Sequence, residues 1–283
     1  MSTVMNKLIK RVVVFSVVIF LCVSSQAARV DTVHFESAIM HKQIKFVVVS
    51  PKGAADKKYP VVYLLHGYSG NFSNWLKDAP QLEAKADELG LILVTPDGGY
   101  GSWYFDSPID STLKYESYFT KELIPYINDH FPVINNKAAR AITGLSMGGH
   151  GALYLAIRHN ELFGAAGSIC GGVDFRPFPN NWDIKLTLGK YEENKKNWDD
   201  NVVINLIDSL KNKTLGLIVD CGSDDFFLPV NRNLHNKLND LKIEHDYTER
   251  PGAHNKAYWG NTIDFQLLYF KKYFNKQQAE GKI

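Results

Sequence analysis

The chain has 283 residues, 45% hydrophobic, 22% charged and 12% aromatic, with a net charge of +2. That apolar content is enough for a sizeable core and excludes whole-chain disorder, while 21 Gly and three Cys exclude collagen-like and disulfide-scaffold chains. So small a charge leaves no electrostatic footprint for a nucleic-acid partner.

Residues 1–27 carry Lys7, Lys10 and Arg11 and no acidic residue, so the remainder carries −1. The basic residues end at Arg11, an apolar run interrupted only by Ser16 fills 12–23, and Ser25-Gln26-Ala27 fits a cleavage rule of small side chains at −3 and −1. The run is too short to span ~30 Å of hydrocarbon comfortably. A secretory signal peptide over 1–27 and a single domain over 28–283 are predicted, giving a secreted or periplasmic protein with no stable membrane insertion. An uncleaved N-terminal anchor is the alternative. Leu21 before Cys22 is bulkier than a lipoprotein signal normally allows.

Beyond that point apolar, β-rich runs alternate with helical patterns. Strands are expected at 44–50, 60–65, 91–95, 139–143, 165–169, 215–220 and 243–249, and helices at 81–89, 115–130, 147–158, 199–210, 230–241 and 258–274. The middle strands are continuously apolar, as parallel strands covered on both faces are. The pattern predicts an α/β fold with a mainly parallel central sheet and helices on both faces. The stretch 171–197 breaks it, carrying Phe175, Phe178, Trp182 and Tyr191 with Pro177 and Pro179. A loop of that length is usually a functional cover or an embedded subdomain, so a cap-like insertion over a site is expected there.

Gly144-Leu145-Ser146-Met147-Gly148-Gly149 fits G-x-S-x-G between an apolar strand and a helix, the context that motif requires. The turn is sharp and strained, so the residues two before and two after the serine must lack bulk. A serine hydroxyl is a weak nucleophile until a positioned base, itself oriented by a carboxylate, takes its proton. In this chain order the acid and then the base follow the serine.

Nine histidines reduce to one by position. His34, His41, His66, His130 and His245 precede the nucleophile or fall within predicted strands and helices. His150 and His159 belong to the helix after Ser146, and His235 is inside a helix. His254 alone lies in a loop after the last strand. The acid belongs in Gly222-Ser223-Asp224-Asp225, where Asp225 is preferred and Asp224 stays open, the other carboxylate capping the following helix. An oxyanion hole needs two backbone donors: Met147 N–H and, from the loop after strand 60–65, Tyr68 N–H. The His66 ring reads as a structural hydrogen-bonding partner. Cys170 and Cys221 each end a strand-like run, and their pairing is open.

Further segments match a known pattern: Leu64-Leu65-His66-Gly67 with Trp75; Pro96-Asp97-Gly98 followed by Ser102-Trp103-Tyr104; Tyr115-Glu116 and Glu122-Leu123-Ile124-Pro125; Asp220-Cys221-Gly222 with Asp225, Asn231 and Arg232; and Pro251-Gly252 with His254 and Trp259. Through these, over about residues 34 to 274, the chain resembles the α/β-hydrolase esterases grouped with esterase D. That group includes S-formylglutathione hydrolases, tributyrin-type esterases, feruloyl and acetyl-xylan esterases and, more distantly, mycolyltransferases. The resemblance implies an α/β-hydrolase fold, Ser146 as nucleophile, Asp225 as acid, His254 as base, and Tyr68 and Met147 as oxyanion donors. Two adjacent carboxylates at 224–225 keep the acid open by one position, and 171–197 matches nothing in the pattern.

The function expected is a secreted serine carboxylesterase acting through an acyl-enzyme, with no cofactor and no metal. The resemblance suggests feruloyl or acetyl esters of plant cell-wall polysaccharide as substrate, either as small molecules or linked to the polymer. Trp103 and Tyr104 are candidates to stack on a sugar or phenolic ring, with ordinary core packing as the other reading. An S-formylglutathione-type thioesterase or an acyltransferase on the same triad are the alternatives, with peptide cleavage and non-catalytic binding behind them.

Overall fold

Alternation along single strands sets the architecture. The computed structural model describes residues 28–54, 57–210 and 214–283; the expected signal peptide lies outside the described residues. Eight strands form one sheet: β1 (Arg29–Ser37), β2 (Lys42–Ser50), β3 (Val61–Leu65), β4 (Ile92–Pro96), β5 (Arg140–Gly144), β6 (Ala165–Ile169), β7 (Gly216–Gly222) and β8 (Asp246–Arg250). Their order is β1-β2-β4-β3-β5-β6-β7-β8. β1 and β2 are antiparallel to their neighbours, and every pairing from β4 to β8 is parallel.

Side chains of β3 point alternately to the two faces, as the pleat dictates. Val61, Tyr63 and Leu65 join a core with Phe119, Leu155 and Phe163. Val62 and Leu64 join a second core with Leu82, Ala86, Ile263, Leu267 and Phe270. Both faces of the sheet are therefore covered, by helices such as Met147–Arg158 on one side and Lys256–Ala279 on the other. Parallel sheets require such cover, because neither face can meet water.

Three expectations shift. β1 is an added edge strand whose exposure alternates residue by residue; a search for two-sided apolar runs passes over such a strand. The helix expected at 199–210 is broken into Lys195–Asp199, Val203–Leu206 and a tight turn Ile207–Leu210. The break falls where Val202 is extended and the Asn201 carbonyl is paired with His150 Nε2 at 2.8 Å, outside any helical ladder. The strand expected from residue 243 begins at Asp246, because Ile243 N–H still bonds the Leu238 carbonyl of the preceding helix. The helix expected over 115–130 is continuous, with a wide π turn at Phe119–Leu123. That turn lies just before Pro125, which lacks the N–H that would bond the Lys121 carbonyl.

Glu116 anchors this helix to the one after Ser146. Its carboxylate accepts from Tyr154 Oη at 2.7 Å, Arg158 Nε at 2.8 Å and His159 Nε2 at 2.7 Å. Burial pushes its pKa up, but the three donors outweigh burial and hold it at about 2. His159 is raised chiefly by its hydrogen bond to Glu116. A depressed carboxyl contributes stability above its unfolded value of 4.5 that fades as pH falls toward 2, and a raised histidine contributes below 6.5. Glu116→Gln should therefore cost about 3 kcal/mol near pH 5–6. In urea unfolding the gap to wild type should shrink steadily below pH 4.5.

Candidate active site

Ser146 sits between β5 and the helix Met147–Arg158, with φ 56° and ψ −117°, a region that L-residues adopt only when surroundings force it. The forcing is visible at Gly148, where a Cβ would overlap the Leu65 carbonyl, so the helix start is pressed on the end of β3. Gly67 is equally close: a Cβ there would lie 2.7 Å from Leu145 Cδ1 and 3.3 Å from Ser146 Cβ. The loop after β3 thus runs directly against the serine.

His254 follows β8 and is held by the next residue. The Asn255 side chain caps the helix Lys256–Ala279 by accepting Tyr258 N–H at 3.1 Å. The His254 ring spans Ser146 and Asp225, with Nε2 2.9 Å from Ser146 Oγ and Nδ1 2.7 Å from Asp225 Oδ2. Asp225 Oδ1 accepts Phe227 N–H at 2.8 Å, which orients the carboxylate. Between the two carboxylates considered from sequence, Asp225 is buried and meets the imidazole, whereas Asp224 is exposed. Neither carboxylate caps the helix Leu228–Asp240; its N-cap is Phe227, with no side-chain bond.

Among the described residues, Tyr68 N–H and Met147 N–H bond no protein acceptor. Met147 opens its helix, where the first N–H groups have no partner within the helix and the dipole is positive. The Tyr68 segment is clamped on both sides. Gly98 N–H donates to His66 Nε2 at 2.8 Å, so His66 Nδ1 donates to the Gly67 carbonyl at 2.8 Å. Tyr68 Oη donates to Asp183 Oδ2 at 2.7 Å, tying the loop to the 171–197 segment. His66 is a structural clamp, as its position suggested.

Trp103 and Tyr104 do not occupy the stacking positions expected of them. Each is 1% exposed, leaving no free face for a sugar or phenolic ring. Trp103 packs on His150, Phe175 and Trp182, and Tyr104 Oη donates to the His66 carbonyl at 3.1 Å. The aromatic surface at the site comes from other residues. Phe226, 46% exposed, lies 4.4 Å from the His254 ring centre and stacks at 17° on Trp182. Trp182 in turn meets Phe178 at 5.3 Å. Phe226 went unnoticed in the sequence, although it directly follows Asp225. The 171–197 segment is anchored: Phe175, Ile184 and Leu188 are fully buried.

Burial lowers the pKa of His254, but the Asp225 hydrogen bond and charge overcome it and raise the imidazole above 6.5. In NMR titration, His254 should lose its proton above pH 6.5 in the wild type. In Asp225→Asn, where burial is opposed only by the contact with Cys170, the midpoint should fall.

A doubly covered, mainly parallel sheet carrying a serine at the β5–helix turn and a histidine after the last strand defines the α/β-hydrolase fold. The chain belongs to the esterase family described as "Putative esterase", whose model matches residues 37–270. It is 25% identical over 256 residues to an acetyl esterase of Caldicellulosiruptor saccharolyticus, covering 82% of this chain and 94% of that one. It is 29% identical over 216 residues to an S-formylglutathione hydrolase of Bos taurus, covering 68% and 74%. A solved ferulic acid esterase superposes with a TM-score of 0.77 at 27% identity, covering 88% and 99%.

Proposed function

We propose that the protein is an exported serine carboxylesterase acting on feruloyl or acetyl esters of plant cell-wall polysaccharide. The observation that carries the reading is the unbroken line Ser146 Oγ–His254–Asp225 beside two N–H groups with no protein acceptor among the described residues. His254 Nε2 takes the Ser146 proton as Oγ attacks the ester carbonyl. Tyr68 and Met147 N–H receive the oxyanion, Asp225 steadies the imidazolium, and His254 then protonates the leaving alcohol. Water repeats the sequence on the acyl-enzyme.

The substrate assignment rests on the Trp182–Phe226 wall, which offers a planar apolar face next to the base, and on similarity to proteins named ferulic acid esterase and acetyl esterase. Export rests on residues 1–27. A thioesterase reading draws on similarity to the proteins named S-formylglutathione hydrolase; an exported chain would not meet that cytosolic thioester.

The reading is tested with methyl ferulate, acetylated xylan, 4-nitrophenyl acetate and S-formylglutathione, using Ser146→Ala as the blank. Ser146→Ala should lower kcat by about 10⁴-fold or more with folding intact. Asp225→Asn should lower kcat far more than Asp224→Asn, and the reverse order would reassign the acid. Trp182→Ala should raise KM for methyl ferulate roughly five-fold, about 1 kcal/mol of stacking, with little change for 4-nitrophenyl acetate. Equal effects on both esters would remove the wall from acyl recognition.

A further inference from the structure

Two thiols stand beside the Ser146–His254–Asp225 line and have no step in it. The β6–β7 ladder ends with Ile169 opposite Asp220, and Cys170 and Cys221 are the residues that follow this last pair. Cys170 N–H donates to the Asp220 carbonyl at 2.7 Å, holding the two strand ends together. Both cysteines are free and fully buried. The two Sγ atoms and a carboxylate oxygen of Asp225 all lie within 4.8 Å of one another, and Cys170 lies beside the His254 ring.

We propose that Cys170, Cys221 and Asp225 form a site for one thiophilic divalent cation of the Zn²⁺ or Cd²⁺ type, and that filling it switches the esterase off. The coupling to activity rests on the proposed role of Asp225. A disulfide draws its sulfurs to ~2.05 Å and forms only with a two-electron oxidant, whereas both thiols are free in this structure. A tetrahedral ion with Zn–S bonds of ~2.3 Å instead holds two thiolates roughly 3.8 Å apart, within reach of small side-chain movements.

The donor set also suits the ion: two thiolates select d¹⁰ cations, and a carboxylate is an accepted third ligand. Binding is an acid–base exchange with no oxidant. The cation takes two Sγ lone pairs, the two thiols release two protons to solvent, and water completes the shell. Asp225 Oδ2 meets His254 Nδ1 and Oδ1 accepts Phe227 N–H, so a cation bonded to the carboxylate competes for its lone pairs and weakens the acceptor that orients the imidazole.

The test separates the site from the chemistry. Ser146→Ala retains both thiols and Asp225, so Cd²⁺ titration of that variant reads binding without turnover. The expected result is one equivalent of Cd²⁺, seen as ultraviolet thiolate-to-cadmium absorption, with two protons released in weak buffer. In the wild type, one equivalent should lower ester turnover more than ten-fold, with recovery on adding EDTA. Cys221→Ala should keep its ester turnover and lose both the absorption and the cadmium sensitivity; Cys221→Ser serves if the alanine variant does not fold. Absence of the one-equivalent absorption in Ser146→Ala overturns the site. Unchanged inhibition in the Cys221 variant, or binding without loss of wild-type turnover, overturns the coupling. A wild type that hydrolyses no ester while Ser146→Ala still binds one Cd²⁺ would overturn the proposed function and leave the site standing.

Discussion

Contact between the end of β3 and the start of the helix after Ser146 is the constraint on which the site depends. Gly148 lies so close to the Leu65 carbonyl that no side chain fits there. That contact holds Ser146 at positive φ and aims its hydroxyl out of the sheet. It also brings the 66–68 loop against the serine, so one packing event creates both the exposed hydroxyl and its neighbouring N–H groups. The strain at Ser146 is sustained by β3, β5 and β6, which are fully buried around it and resist relaxation together.

Electrostatics at the site follow from the same burial. Asp225 is withdrawn from water but bonded to Phe227 N–H and to His254, which is how a buried carboxylate remains a favourable acceptor. Its charge raises the imidazole against the desolvation that would lower it. The Glu116 cluster uses the same logic away from the site: three donors offset the cost of burying one carboxylate and tie two helices together.

The 171–197 segment closes over one side of the serine without being a detached flap. Its buried residues Phe175, Ile184 and Leu188 fasten it to the body, while Phe178 and Trp182 remain partly open to the mouth. Its Asp183 reaches across to Tyr68, so this segment and the 66–68 loop support each other.

Much of this was legible in the chain. Continuous apolar runs disclosed five of the six parallel strands, β3 to β7, because a strand covered on both faces has no polar side to show; the edge strand β8 is polar and partly exposed. The glycines around Ser146 disclosed the sharp turn, since no bulkier residue fits it, and chain order singled out His254 from nine histidines. Tertiary structure alone decided between Asp224 and Asp225: adjacent residues in a turn point in different directions, and only the packed position of His254 tells which carboxylate it meets. It alone sent Trp103 and Tyr104 into the core and put Phe226 and Trp182 at the mouth, because an aromatic side chain serves either environment and composition does not distinguish them. It also set Cys170 beside Cys221, whose nearness comes from strand register, a property of two distant segments that neither carries by itself.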